Sequence, residues 1–235
     1  MSENRTYPDG TPFTGVVARS IEDSKPAWPI PTPAPENAPD VLMIILDDIG
    51  FAQLGCFGGL GGRLKTPNID KLASGGLIYN NMHATALCSP TRSSILTGRN
   101  HHSNGVGMIM ERATGFPGYN GRIPKECGFL PAVLKENGYN TYCLGKWHLA
   151  PDEATGATGP FDRWPLGQGF ERYYGFLSGE TDQWNPDLIE DNHHIDVQKT
   201  SDYHLTVDLV DHAIDWITMQ KAISEKKPYY NVSSG

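Results

Sequence analysis

Val41-Leu42-Met43-Ile44-Ile45-Leu46 is an unbroken apolar run that stops on Asp47-Asp48-Ile49-Gly50. A run of this length without polar alternation reads as a strand buried on both faces, the habit of a parallel sheet flanked by helices. The rest of the chain continues the pattern. A short helix at Thr66–Ala73, a strand near Leu77-Ile78-Tyr79, a helix around Cys88–Thr97, a helix near Phe129–Asn137 and a strand from Asn140 to Leu144 follow in turn. Then come an amphipathic helix with Leu205, Leu209, Val210, Ala213, Ile214 and Ile217 on one stripe, and a strand opening at Tyr229-Tyr230-Asn231-Val232. Alternation of this kind predicts an α/β fold, a mostly parallel sheet sandwiched by helices. At 235 residues and 38% hydrophobic content the chain can bury a real core, enough for one domain or most of one. Residues 1–38 read as a Pro-rich extension that wraps the domain or stays mobile, since Pro26, Pro29, Pro31, Pro33 and Pro35 favour an extended path.

Ligands of open α/β sheets gather at the carboxyl ends of the strands, which is where Asp47 and Asp48 stand. Two carboxylates placed there are costly unless a counter-charge satisfies them. Oxygen ligands suit a hard divalent cation, calcium or magnesium, rather than zinc. As an isolated dipeptide, Asp47-Asp48 also suits a solvated turn. Lys146 and His148 fall at the end of the strand that runs into Gly145, and in an extended segment their side chains point the same way, toward one oxyanion. A surface lysine and a packed imidazole beside Trp147 is the plainer alternative.

Cys88-Ser89-Pro90-Thr91-Arg92, with Ser93-Ser94-Ile95-Leu96-Thr97-Gly98-Arg99 behind it, reads as a cysteine at the start of a short helix. Ser89 is the expected N-cap, Pro90 the first helical residue and Gly98 the left-handed stop. Such a helix start directs backbone N–H groups and a positive dipole end at Cys88, a setting that suits an anion such as a sulfate or phosphate ester. A small buried hydrophobe is the ordinary fate of a lone cysteine.

Taken together, Cys88-x-Pro-Thr-Arg92 with Leu96-Thr97-Gly98-Arg99, Asp47-Asp48 and Gly145-Lys146-Trp147-His148 resemble the type I sulfatases, whose alkaline-phosphatase-like fold matches the expected α/β alternation. The resemblance covers the chain from about residue 15. It implies that Cys88 is converted after translation to formylglycine by a formylglycine-generating enzyme. The hydrated aldehyde is then the nucleophile toward a sulfate ester, one hydroxyl attacking sulfur and the other expelling the sulfate. It further implies calcium, held by Asp47, Asp48 and the modified Cys88. Arg92 would fix the formylglycine and balance the anionic charge, Lys146 would hold the sulfate and the formylglycine hydroxyl, and His148 would assist proton movement. A phosphate or phosphonate hydrolase of the same superfamily, and a catalytically silent fragment, are the other readings.

In that family the strand after the amphipathic helix leads to a second active-site histidine, and later to an Asp-Asn pair for the metal and a second lysine. Gly235 precedes all of these, so the resemblance implies an N-terminal portion whose sheet is incomplete on the C-terminal side, the remainder coming from further chain or a partner chain. Residues 39–235 are then the N-terminal part of a catalytic domain. The stretches 115–121, 159–165 and 179–184 read as aromatic- and Gly-rich loops over the pocket. His101-His102 and His193-His194 lack the flanking ligands of a zinc site. Nineteen Lys and Arg against 27 Asp and Glu, a net charge of −8, disfavour nucleic acid as a partner. The absence of an apolar leader or spanning segment, and Cys56, Cys88, Cys127 and Cys143 without a disulfide rhythm, predict a cytoplasmic protein away from membranes.

Overall fold

The computed structural model describes residues 12–28, 32–196 and 200–235; the expected extended path at Pro29 and Pro31, and residues 1–11, lie outside them. Six strands form one mixed sheet: β1 (Val41–Ile45), β2 (Asn140–Lys146), β3 (Arg172–Phe176), β4 (Leu188–Glu190), β5 (His193–Ile195) and β6 (Tyr229–Ser234). Their spatial order is β1-β6-β2-β3-β4-β5. The β1–β6, β6–β2 and β2–β3 junctions are parallel, and the β3–β4 and β4–β5 junctions antiparallel. The last strand in sequence thus lies in the middle of the parallel block, with Gly145 opposite Ser234 and Ile45 also opposite Ser234 on its other side.

The helices are α1 (Gly59–Gly62), broken by left-handed Leu60 and Gly61, then α2 (Pro67–Ser74), α3 (Cys88–Thr97), α4 (Leu130–Glu136) and α5 (Leu205–Ile223). Alternate residues of the strands feed two cores, as period-2 geometry requires. Cys143, Tyr173, Tyr230 and Val232 pack with Leu96 of α3, Phe129, Trp147, Trp164 and Phe170, while Tyr142, Leu144, Tyr174 and Tyr229 pack with Leu205, Leu209 and Trp216 of α5. Helices therefore cover both faces of the sheet. Ala34 and Ala38 of the extension pack against the first core, and Gly138, at φ 84, leaves room for the backbone of Ala34 to cross it.

Three expectations are corrected. The run at β1 is not buried on both faces: β1 is an edge strand that α5 does not cover, and Leu42 and Ile44 remain 51% and 64% exposed. Continuous hydrophobicity cannot tell an edge from a centre, because both are apolar but only neighbours decide burial. Leu77-Ile78-Tyr79 forms no strand, and Leu77 is 85% exposed; β propensity without an adjoining edge to pair with does not make a strand. On α5, Val210 and Ile214 face outward and Trp216 and Gln220 replace them on the buried side, since the helix lies over β2 and β3.

Candidate active site

Parallel pairing brings the carboxyl ends of β1, β6 and β2 to one edge, and that register delivers Asp47, Ser234 and Lys146 side by side. Helix α3 crosses above them and contributes Arg92. Its guanidinium donates from Nη2 to Asp47 Oδ2 at 3.1 Å, and from Nη1 to Ser234 Oγ at 2.9 Å and the Lys146 carbonyl at 2.5 Å. Lys146 Nζ reaches the same Asp47 oxygen at 2.5 Å, and Ser234 Oγ donates to the Lys146 carbonyl at 3.0 Å. Arg92 and Lys146 are buried. Burial raises the Asp47 carboxyl, but the hydrogen bonds and charges of Lys146 and Arg92 outweigh it and hold Asp47 below its ordinary 3.8. Two cations on one carboxylate leave the cluster with a net positive charge in a partly dehydrated setting, which is what an anion-binding site requires.

Cys88 opens α3, whose N-cap is Leu87 in an extended conformation and whose end is Gly98 at φ 65. The helix therefore starts two residues earlier than the expected cap and first residue would place it. Ser89 is not the cap; its hydroxyl is buried without a partner, and Pro90 sits in the third helical position, where an N–H is equally dispensable. Cys88 and Arg92 are four residues apart on one helix, so they share a face. Of the four thiols, all free, Cys143 is buried and pushed up to about 12, chiefly by that burial. A thiol of that kind is inert.

Asp48 takes a left-handed φ of 54° and is exposed, whereas Asp47 turns into the cluster. Among the described residues no group of three or more His, Cys, Asp and Glu side chains converges to hold a metal. A hard cation seeks six or more oxygens. Asp47 and Asp48 by themselves do not supply that number.

His148 departs from the extended segment expected for it. Its φ is 54°, so it does not share an acceptor with Lys146; its Nε2 instead meets Glu111 Oε1 at 2.8 Å and Oε2 at 2.9 Å. Burial depresses the imidazole below its ordinary 6.5, Glu111 partly restores it, and the Lys146 and Arg92 charges depress it again. Burial raises the Glu111 carboxyl, but His148 and Lys146 bring it below its ordinary 4.5. Glu111 and Ser234 escaped the sequence reading. Ser234 was findable as the end residue of a predicted strand, but Glu111 lies in the single turn Met110–Arg112 and carries no local signal.

The aromatic loops divide. Trp164 is wholly buried, donates to the Ala154 carbonyl at 2.6 Å and meets Phe161 edge-on, so 159–165 is an anchor rather than a pocket wall. Phe116 and Trp184 are 71% and 64% exposed on the other two loops. The His102 ring lies tilted against that of His101 and its Nε2 bonds Tyr119 Oη at 3.1 Å; His194 pairs with Asp187 at 3.4 Å.

These titrations fix the sign of acid sensitivity. The unfolded chain binds protons at His148, Glu111 and Asp47 at higher pH than the folded chain does, so each contributes stability that is lost on acidification. The loss begins as pH falls below 6.5 for His148 and continues below 4.5 and 3.8 for the carboxylates. Asp152, raised by burial, Glu111 and Glu153, acts in the opposite direction. Urea midpoints should therefore fall between about pH 7 and pH 3; a midpoint that rises on acidification contradicts the assignment.

The model of the sulfatase family matches residues 39–234. The chain belongs to the sulfatase family. Human arylsulfatase A is 38% identical over 138 residues, covering 58% of this chain and 25% of that protein, and the Klebsiella aerogenes arylsulfatase is 31% identical over 154 residues, covering 65% and 31%. The crystal structure of Ps i-CgsB in complex with k-i-k-neocarrahexaose superimposes with a TM-score of 0.68 at 25% identity over 84% of this chain and 45% of that one. The chain spans about a quarter of the length of the curated relatives it matches. Sulfatases in general work with a formylglycine and a divalent metal, and no helix among the described residues is long and apolar enough to cross a membrane.

Proposed function

We propose that this sulfatase-family chain carries the nucleophile-bearing part of a sulfuric ester hydrolase. The observation that carries the reading is the Asp47–Arg92–Lys146–Ser234 cluster at the ends of three parallel strands, set one helical turn from Cys88. Formylglycine made from Cys88 supplies a hydroxyl to attack sulfur and a second to release the sulfate. Lys146 would hold the sulfate and the formylglycine hydroxyl, and Arg92 would fix the formylglycine and balance the anionic charge, in a site already organised by Asp47 and Ser234. His148 takes or returns the proton of the hydroxyl. Calcium, with magnesium as the alternative, would lie against Asp47, Asp48 and the modified Cys88. The maturing partner is a formylglycine-generating enzyme, and the four free thiols suit a reducing cytoplasm.

In a host with the formylglycine-generating system, the intact mass should fall by about 18 Da at Cys88 and the peptide should react with aldehyde probes. An unmodified thiol in that host removes Cys88 as the precursor. Cys88→Ala should abolish whatever turnover a completed protein shows, while Cys56→Ala, Cys127→Ala and Cys143→Ala alter stability at most.

A further inference from the structure

The Glu111–His148 pair goes beyond this scheme. His148 is 3% exposed, with both Glu111 oxygens within hydrogen-bond distance of Nε2 and with Nδ1 buried and unpartnered. A neutral imidazole offers one donor and one acceptor, and a carboxylate only accepts, so the geometry requires the proton on Nε2 and the lone pair on Nδ1. The backbone is built around this contact. A Cβ at Gly179 would lie 2.8 Å from Glu111 Oε1 and 2.9 Å from His148 Nε2, so any larger residue there would have to displace the pair. On the other side, Met110 is buried and fixes the turn that presents Glu111.

We infer that Glu111 is a positioning residue: it holds His148 in the Nε2–H tautomer and orients Nδ1 as the free proton acceptor of the site. The inference rests on the sulfatase reading for what Nδ1 accepts, and on geometry alone for the tautomer. The charged groups that face the ring are Glu111, Lys146, Arg92 and Asp152. The two cations favour a neutral ring, and Glu111 decides which nitrogen keeps the proton. Carboxylate–imidazole pairs commonly serve in this way, with the acid fixing tautomer and orientation without itself being protonated.

The test is nitrogen-15 NMR of the 235-residue chain at about pH 8, where an ordinary imidazole is neutral. His148→Gln identifies the resonance among the eight histidines. The expected spectrum shows one slowly exchanging ring N–H at Nε2 and a bare Nδ1. Glu111→Ala should erase that N–H signal by exposing it to exchange, and Glu111→Gln, whose side-chain oxygen still accepts, should retain it. A His148 proton at Nδ1, no protected ring N–H in the unsubstituted chain, or an N–H signal unchanged in Glu111→Ala overturns the inference. The spectrum reads the same whether or not Cys88 is oxidised, so the mass measurement fails or succeeds independently of it.

Discussion

Gly145→Ala leaves no folded chain to assay. Gly145 adopts φ 85, and a Cβ there would stand 1.6 Å from the Ser234 carbonyl oxygen, inside the β2–β6 ladder. Left-handed backbone costs a non-glycine residue about 1–2 kcal/mol, and overpacking typically about 1–3 more. Here the obstacle is backbone of the central strand, which cannot swing aside as a side chain can. Relief means parting β2 from β6, the junction that sets Lys146 against Ser234 and Asp47. The expected loss exceeds about 4 kcal/mol, in the exceptional range for one substitution. Gly156→Ala is the control, since nothing lies within 4 Å of its Cβ position. Circular dichroism and urea melts of the two variants decide the matter: a cooperative Gly145→Ala transition within about 1 kcal/mol of the parent would show that the close approach is not a real constraint.

The 235-residue chain, even with formylglycine confirmed at position 88, should hydrolyse p-nitrophenyl sulfate barely above background. Ester cleavage asks for a nucleophile, charge compensation on the sulfate oxygens, and a proton for the leaving alkoxide, acting as one preorganised unit. Cys88, Arg92 and Lys146 cover the first two. For the third, the described residues offer little. The Nε2 proton of His148 is committed to Glu111. His204 caps α5 by accepting from the Thr206 N–H at 3.2 Å, His194 is paired with Asp187, and His193 lies on β5, at the opposite edge of the sheet from β1. Removing one member of such a unit commonly costs about a thousandfold or more. Steady-state assays of the purified monomer check this, and robust turnover would overturn it and direct attention to His193, His194 or His204.

Much of the site was legible because its signals are local. An apolar run that breaks on Asp47 places a carboxylate at a strand end, Cys88 and Arg92 are tied by helical spacing, and Lys146 closes a strand whose limits follow from Gly138 and Gly145. The helix stop at Gly98 and the short helix after Thr66 were fixed by backbone preferences of single residues. Those features need no knowledge of what lies across the fold.

Other features depend on which segments meet. That Tyr229–Ser234 inserts between β1 and β2 sets the strand order and brings Ser234 to Arg92; no period in the chain encodes that order. The same holds for Glu111, an unremarkable acid in a turn until it meets His148, 37 residues on. Asp47 and Asp48 look equivalent in sequence, yet a left-handed φ at Asp48 sends one carboxylate to two cations and the other to solvent. The sequence by itself determined the α/β alternation and the residues able to carry the chemistry, because hydrophobic period and capping act within a few residues. Only the tertiary structure decided strand order, the partner of His148 and the division of labour between the two aspartates, because burial and pairing are set by contacts between distant segments.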